Sequence, residues 1–251
     1  MSENTCVCLI CLKPNDVWLE FLSSFHNYDV FVIVDDNSRI YDSRYINSKK
    51  INIIQINNDD CVNNGFIDVN YLIFHRITGW EKALYYFSCI NTNYKNVWFL
   101  EDDVFFYGEQ TLLNIDAKYT DGDLLSNGLV EENKTGHKKT HPWRLMDIKI
   151  PPPYYHCMVC AVRMSQQLLF SIKDYAVKYK TLFFLEVLYP TICRHNKLKH
   201  HIVDELKRIV FGPVKLHELN VNTVNYTDLC HPVKDINKHI MYRTKLTKDK
   251  M

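Results

Sequence analysis

Solid apolar runs alternate with amphipathic segments through the first part of the chain. Thr5-Cys-Val-Cys-Leu-Ile-Cys-Leu12 is a continuous apolar run of strand length, ended by Lys13-Pro14-Asn15. Asp16 is suited to cap a helix that runs to about His26, with Val17, Leu19, Phe21 and Phe25 as its apolar stripe. Val30-Phe-Val-Ile-Val34 predicts a second strand, closed by Asp35-Asp36-Asn37-Ser38, and Ile51 to Ile56 a third. Gly79 to Ile90 carries Trp80, Ala83, Leu84 and Phe87 at helical spacing. Asn96-Val-Trp-Phe-Leu100 predicts a fourth strand that runs straight into Glu101-Asp102-Asp103. Strands that are apolar throughout, separated by helices, imply a mostly parallel sheet covered on both faces.

The second half is less regular. Residues 131–145 form a polar loop long enough for a lid, and Pro151-Pro152-Pro153 forces an extended segment. Tyr155 to Val162 predicts a strand, and Ser165 caps a helix through about Lys178. A further helix spans Leu182 to about Asn196. The segment 236–251 is expected to be a loosely held basic tail, because Lys234 to Met251 holds six Lys or Arg against two Asp. With no linker or composition break, the chain is expected to be one domain: a nucleotide-binding half over about 1–107 and an acceptor half over about 108–235.

Composition narrows the classes. Thirty basic against 29 acidic residues leave a formal charge of +1, without the basic excess that nucleic-acid binding requires. A chain 47% hydrophobic and 13% aromatic is not disordered. The 22 Asn and 22 Lys beside 4 Ala suit an AT-rich coding sequence, so their abundance carries no functional meaning. No apolar stretch reaches the roughly 18 residues of a membrane span, and Cys6 to Leu12 lacks the flanks of a signal peptide. Nine cysteines, an odd number scattered through apolar runs, are expected to be buried, reduced thiols of a cytoplasmic protein.

The candidate chemistry lies where strands end. In parallel sheets ligands sit beyond the carboxyl ends of the strands, and two predicted strands here end in clustered acids. Three successive carboxylates repel one another unless a cation compensates, and Mg²⁺ or Mn²⁺ takes such oxygen ligands together with substrate phosphates. Without that partner the triplet is an acidic turn facing water. Cys157-Met-Val-Cys160 has zinc-like spacing, but no second pair follows, and a strand would turn the two thiols to opposite faces. His137 and His141 are flanked by Gly136 and Pro142, which argues against a helical metal pair.

Phe99-Leu100-Glu101-Asp102-Asp103-Val104 resembles the DXD-type motif of GT-A fold, nucleotide-sugar-dependent glycosyltransferases, including family 2-like inverting enzymes. Val32-Ile33-Val34-Asp35-Asp36-Asn37-Ser38 resembles their earlier strand-end acidic motif, about 65 residues upstream. The resemblance spans roughly residues 5 to 235 as an ordered series of short motifs. It implies a GT-A-like, Rossmann-type α/β/α sandwich with a mostly parallel central sheet. It further implies Asp103 as a ligand of Mn²⁺ or Mg²⁺, Glu101 near the ribose or a metal-bound water, and Asp102 in support. Asp35 would accept a hydrogen bond from the base, with Asp36 beside it. His231 would ligate the metal or touch the diphosphate, with His217 as its rival, and Lys234 would neutralise a phosphate. Glu186, the one acid in Leu182 to Cys193, would be the base that deprotonates the acceptor, its pKa raised by apolar neighbours unless Arg194 or Lys180 pairs with it. Trp80 and Lys82 would lie beneath the nucleotide, although packing alone accounts for Trp80.

The expected activity is inverting transfer from a UDP-sugar to a hydroxyl of a glycan, protein or small molecule, in an enzyme of viral or bacterial type. A nucleotidyltransferase of similar fold is the rival, but it needs a glycine-rich phosphate loop, and Leu12 to Asp16 contains no Gly. A non-catalytic sugar-nucleotide-binding module is the third class.

Overall fold

The computed structural model describes residues 4–41, 51–132, 148–211 and 225–248. Four parallel strands form its first half: β1 (Thr5–Cys11), β2 (Asp29–Val34), β3 (Ile51–Gln55) and β4 (Asn96–Glu101). The chain continues through β5 (Leu124–Ser126), β6 (Val130–Glu132), β7 (Tyr154–His156), β8 (Ala161–Ser165) and β9 (His200–Ile202). Seven strands make the central sheet, in the order β3-β2-β1-β4-β8-β5-β9. Within it β8 alone is reversed, antiparallel to both β4 and β5. Outside it, β6 pairs with β7, and β10 (Arg208–Ile209) with β11 (Cys230–His231).

Side-chain alternation divides each strand between two cores. Cys6, Cys8 and Ile10 of β1 join Phe31, Ile33, Val97 and Phe99 on one face. Val7, Leu9 and Cys11 join Val32, Val34, Trp98 and Leu100 on the other. The first core is covered by α4 (Gly79–Tyr85), a π turn over Tyr86–Ile90, α6 (Gln166–Tyr179) and α7 (Leu185–His195). The second is covered by α1 (Asp16–Ser23) and α5 (Glu109–Lys118). Short helices α2 (Asn58–Asn63) and α3 (Val69–Phe74) lead from β3 into α4. This is the expected α/β/α sandwich with a mostly parallel sheet.

Several local expectations change. Asn15, not Asp16, caps α1 by accepting Trp18 N–H at 3.0 Å, and the helix stops at Ser23. The strand predicted over Tyr155–Val162 breaks at Cys157–Cys160 into β7 and β8. Its physical cause is in α7: Pro190 has no N–H to give the carbonyl four residues back, that of Glu186. Cys157 N–H donates to that carbonyl instead, at 3.0 Å, and so leaves the strand ladder.

The described part of the basic tail, 236–248, is also not loose. It forms α8 (Ile236–Lys248), with His239 and Tyr242 buried and the Arg243 guanidinium 3.4 Å from the Phe21 ring centroid of α1. The charge expected in solvent is stacked on an aromatic face. His137, His141 and His217 lie outside the described residues, as does most of the loop 131–145. Among the described residues no helix is long and apolar enough to cross a membrane.

Candidate functional site

The strand order reverses between β1 and β4, and at such a switch point the loops on either side part to leave a crevice. A cavity of about 210 Å³ opens there, lined by Leu12 at the end of β1, Asp35 after β2, Arg76, Trp80 and Glu101 to Asp103. The two acidic strand ends therefore share one site, as their common parallel direction requires.

The acids are not equivalent. Asp35 is paired with two cations: Lys82 Nζ donates to Oδ1 at 2.9 Å and to the backbone carbonyl at 2.6 Å, while Arg76 donates to Oδ2 at 3.0 Å. Lys82 is 1% exposed, and Asp35 is its ion-pair partner among the described residues. Gly79 permits this approach of α4, because a Cβ there would lie 2.6 Å from Ile10 Cγ2. Asp36 belongs to the turn. It accepts from Tyr41 O–H at 2.6 Å and Ser38 N–H at 2.8 Å, and these bonds hold its carboxyl well below the usual range.

The triplet after β4 lacks such compensation. Burial, then the charge of Asp103, outweigh the Trp80 hydrogen bond and raise the pKa of Glu101. Burial, then Asp103 and Glu101, push Asp102 up to about 6. Glu101 and Asp102, driven toward their neutral forms by burial and by the crowding of charge, mark a place that a cation would relieve.

His231 arrives by a long return of the chain. Phe105 and Cys230 exchange two backbone hydrogen bonds at 2.8 Å, and Val233 N–H donates to Asp103 O at 2.7 Å. This clamp brings His231, 9% exposed, against the triplet, with Nε2 3.1 Å from Asp103 Oδ1 and 3.6 Å from Glu101 Oε2. Its Nδ1–H donates to Val210 O at 2.7 Å. Nε2 therefore carries a proton only in the cationic ring; in the neutral ring its lone pair faces a buried Asp103 oxygen that has no donor. Burial alone would lower the pKa of His231, but Asp103, the Val210 carbonyl and Glu101 together raise it. A divalent cation satisfies this arrangement as well as a proton does, and the donor set fits one. Lys234 is exposed, next to the clamp.

The residue that leads into the reversed strand, Cys160, also reaches the triplet. Leu100 pairs with Ala161, so Cys160 sits opposite Glu101, whose N–H donates to Cys160 O at 2.9 Å. Donor atoms of Glu101, Cys160 and His231 lie within 4.8 Å of one another. Burial, then Glu101, Asp103 and Glu186, hold the Cys160 proton in place. Cys157 and Cys160 do face different cores, and Cys160 is the one whose sulfur lies beside Glu101 and His231.

Glu186, in the first turn of α7, is not alone among apolar side chains. His156 Nε2–H donates to its Oε2 at 2.8 Å, and neither Arg194 nor Lys180 is its ion-pair partner. Among the described residues no hydrogen bond is made to Oε1. His156 was missed although it is a polar residue within an apolar run. Trp80 does more than pack: its Nε1–H donates to Glu101 Oε1 at 2.6 Å while its ring meets Phe99 and Tyr189. Three elements thus orient the acids, namely α4 through Trp80 and Lys82, β7 through His156 and β11 through His231.

No family model matches this sequence, and no curated protein does. Among solved structures, the 4-diphosphocytidyl-2C-methyl-D-erythritol synthase of Anaerococcus prevotii DSM 20548 is similar at a TM-score of 0.47 and 8% identity, over 98% of this chain and 97% of that one. The mannosyltransferase Ktr4p of S. cerevisiae is similar at a TM-score of 0.37 and 10% identity, over 74% and 69%. Likenesses this distant do not bear on activity.

Proposed function

We propose that the protein transfers a sugar from a nucleoside diphosphate donor, a UDP-sugar, to a hydroxyl group, with inversion. The observation that carries the reading is His231, folded back onto an acidic strand end and aligned through its Nδ1–H, where a proton or a metal ion must lie between it and Asp103. Asp103, Glu101 and His231 would hold Mn²⁺ or Mg²⁺. Such an ion, when bound, neutralises charge that develops on a diphosphate leaving group.

The remaining roles belong to the chain itself. Arg76, tethered by Asp35 at the cavity wall, adds a positive charge toward the phosphates. Lys234 adds a second. Asp35 retains lone pairs for the base N–H while its charge is neutralised by Lys82 and Arg76. Glu186 takes the acceptor proton on Oε1, and His156 fixes the carboxylate through Oε2.

The test is a thermal-shift screen of UDP-sugars and nucleoside triphosphates, with and without Mn²⁺, on wild type and Asp103→Asn. The expected result is stabilisation that needs sugar nucleotide and metal together and vanishes in the folded variant. Stabilisation by triphosphates without preference for sugar nucleotides would move the protein to the nucleotidyltransferase class. Equal stabilisation of wild type and variant would remove the metal role of Asp103.

A further inference from the structure

The triplet and His231 account for a hard-cation site of ordinary composition; Cys160 does not belong to that description. We propose that Cys160 is a sulfur ligand of the metal, so that the site prefers a borderline ion such as Zn²⁺ or Co²⁺ over Mg²⁺. The proposal rests on reading this edge of the sheet as the metal-assisted transfer site.

Three observations converge. The first is spacing. Bonds of about 2.0–2.3 Å at tetrahedral angles put ligand atoms roughly 3.3–3.8 Å apart. The contacts His231 Nε2–Asp103 Oδ1 at 3.1 Å and His231 Nε2–Glu101 Oε2 at 3.6 Å are already close to that range. The Glu101, Cys160 and His231 donor atoms, all within 4.8 Å of one another, need only a small contraction around an ion.

The second is orientation. Ligating side chains are commonly fixed by an outer partner on the atom that does not bind. Glu101 has one in the Trp80 indole on Oε1, leaving Oε2 toward His231. His231 has one in the Val210 carbonyl on Nδ1, leaving Nε2 inward. Asp103 Oδ1 completes the inward set as a buried oxygen without a donor.

The third is the origin of the thiol. Cys160 is delivered by the start of β8, the reversed strand, so it does not depend on the acidic loop for its position. Its burial, 7% exposed, keeps water from competing at the sulfur. On coordination the S–H bond breaks, the sulfur lone pair binds the ion and the proton leaves to solvent. Thiolate draws Zn²⁺ and Co²⁺, whereas Mg²⁺ binds oxygen and gains little from it.

The full chain, stripped with chelator, is titrated with Co²⁺ and followed by absorbance. A sulfur-to-cobalt charge-transfer band is expected in wild type and absent from Cys160→Ser and Cys160→Ala, whichever of these keeps its far-ultraviolet dichroism. Zn²⁺ affinity should fall at least about 10-fold in the folded variant, since loss of even an outer partner costs that much, while Mg²⁺ affinity stays level. The ¹¹³Cd resonance of wild type needs no variant: a position characteristic of one sulfur ligand supports the assignment. A resonance of oxygen and nitrogen ligands only, no band in wild type, or a band that survives in a folded variant each overturns it. UDP-sugar binding on the same metal-loaded samples is a separate arm. Its absence with the band intact removes the transferase reading and leaves the sulfur ligand standing.

Discussion

The two edges of the central sheet hold acids in opposite states. At the amino edge, Asp116 accepts from Tyr28 O–H at 2.6 Å, Trp98 Nε1–H at 3.1 Å and Arg163 Nη1–H at 2.6 Å. Arg163, 1% exposed, also donates to the Tyr119 and Gly122 carbonyls. At the carboxyl edge, burial and the neighbouring charge of Asp103 raise the proton affinity of Glu101 and Asp102, and one oxygen of Asp103 is buried without a donor. The larger opening is at the wrong edge for chemistry: about 620 Å³ beside Asp116, against about 210 Å³ beside the triplet. Size alone would choose the amino edge. Charge compensation chooses the other, because a carboxylate with three donors has no unmet need, whereas three crowded carboxyls do.

This contrast is sharpest in rates. Glu186→Gln should slow sugar transfer roughly 10²–10⁴-fold, with metal and UDP-sugar affinity kept, since only proton acceptance is lost. Initial rates and calorimetry measure both quantities, and transfer at the wild-type rate would take Glu186 out of the chemistry. The amino edge should answer in stability instead. Arg163→Met leaves Asp116 buried without its cation and should cost about 3–5 kcal/mol in urea unfolding. UDP-sugar affinity of the folded variant should be unchanged, and a comparable loss of affinity would erase the distinction between the edges.

The smallest effect has the opposite sign. The carboxyl of Asp102 is pushed up to about 6 in the folded chain against 3.8 when unperturbed. The folded state therefore holds the extra proton between those values, and this stabilisation is lost as pH rises through about 6. Without metal, Asp102→Asn should be more stable than wild type by about 1 kcal/mol above that pH, allowing for solvent screening, and equal to it below 3.8. Urea midpoints across the range test the prediction; an Asn variant less stable at neutral pH would contradict the crowding of charge.

Much of this was legible in the sequence, for a physical reason. Parallel strands buried on both faces are apolar throughout, so β1, β2 and β4 stood out, and their shared direction brought Asp35 and Glu101 to one edge. Cys160 was not legible because strand direction is a tertiary property: at a reversed strand the beginning, not the end, meets the site. His156 and the pairing of Lys82 with Asp35 were hidden for a related reason. A residue's polarity says nothing of which distant carboxylate it will meet, and both partners lie many residues away. The expected tail failed because net charge was weighed without the aromatic surface that Phe21 offers Arg243.

Pro190 has a consequence for how the site opens. Because it donates nothing to the Glu186 carbonyl, that acceptor is filled by the Cys157 amide of the neighbouring segment. The first turn of α7, which holds Glu186, is thus closed by a bond that belongs to two elements rather than one. Neither element can fray alone without releasing that amide to water. Deuterium uptake at the Cys157 amide is therefore a clock for breathing on the Glu186 side of the site.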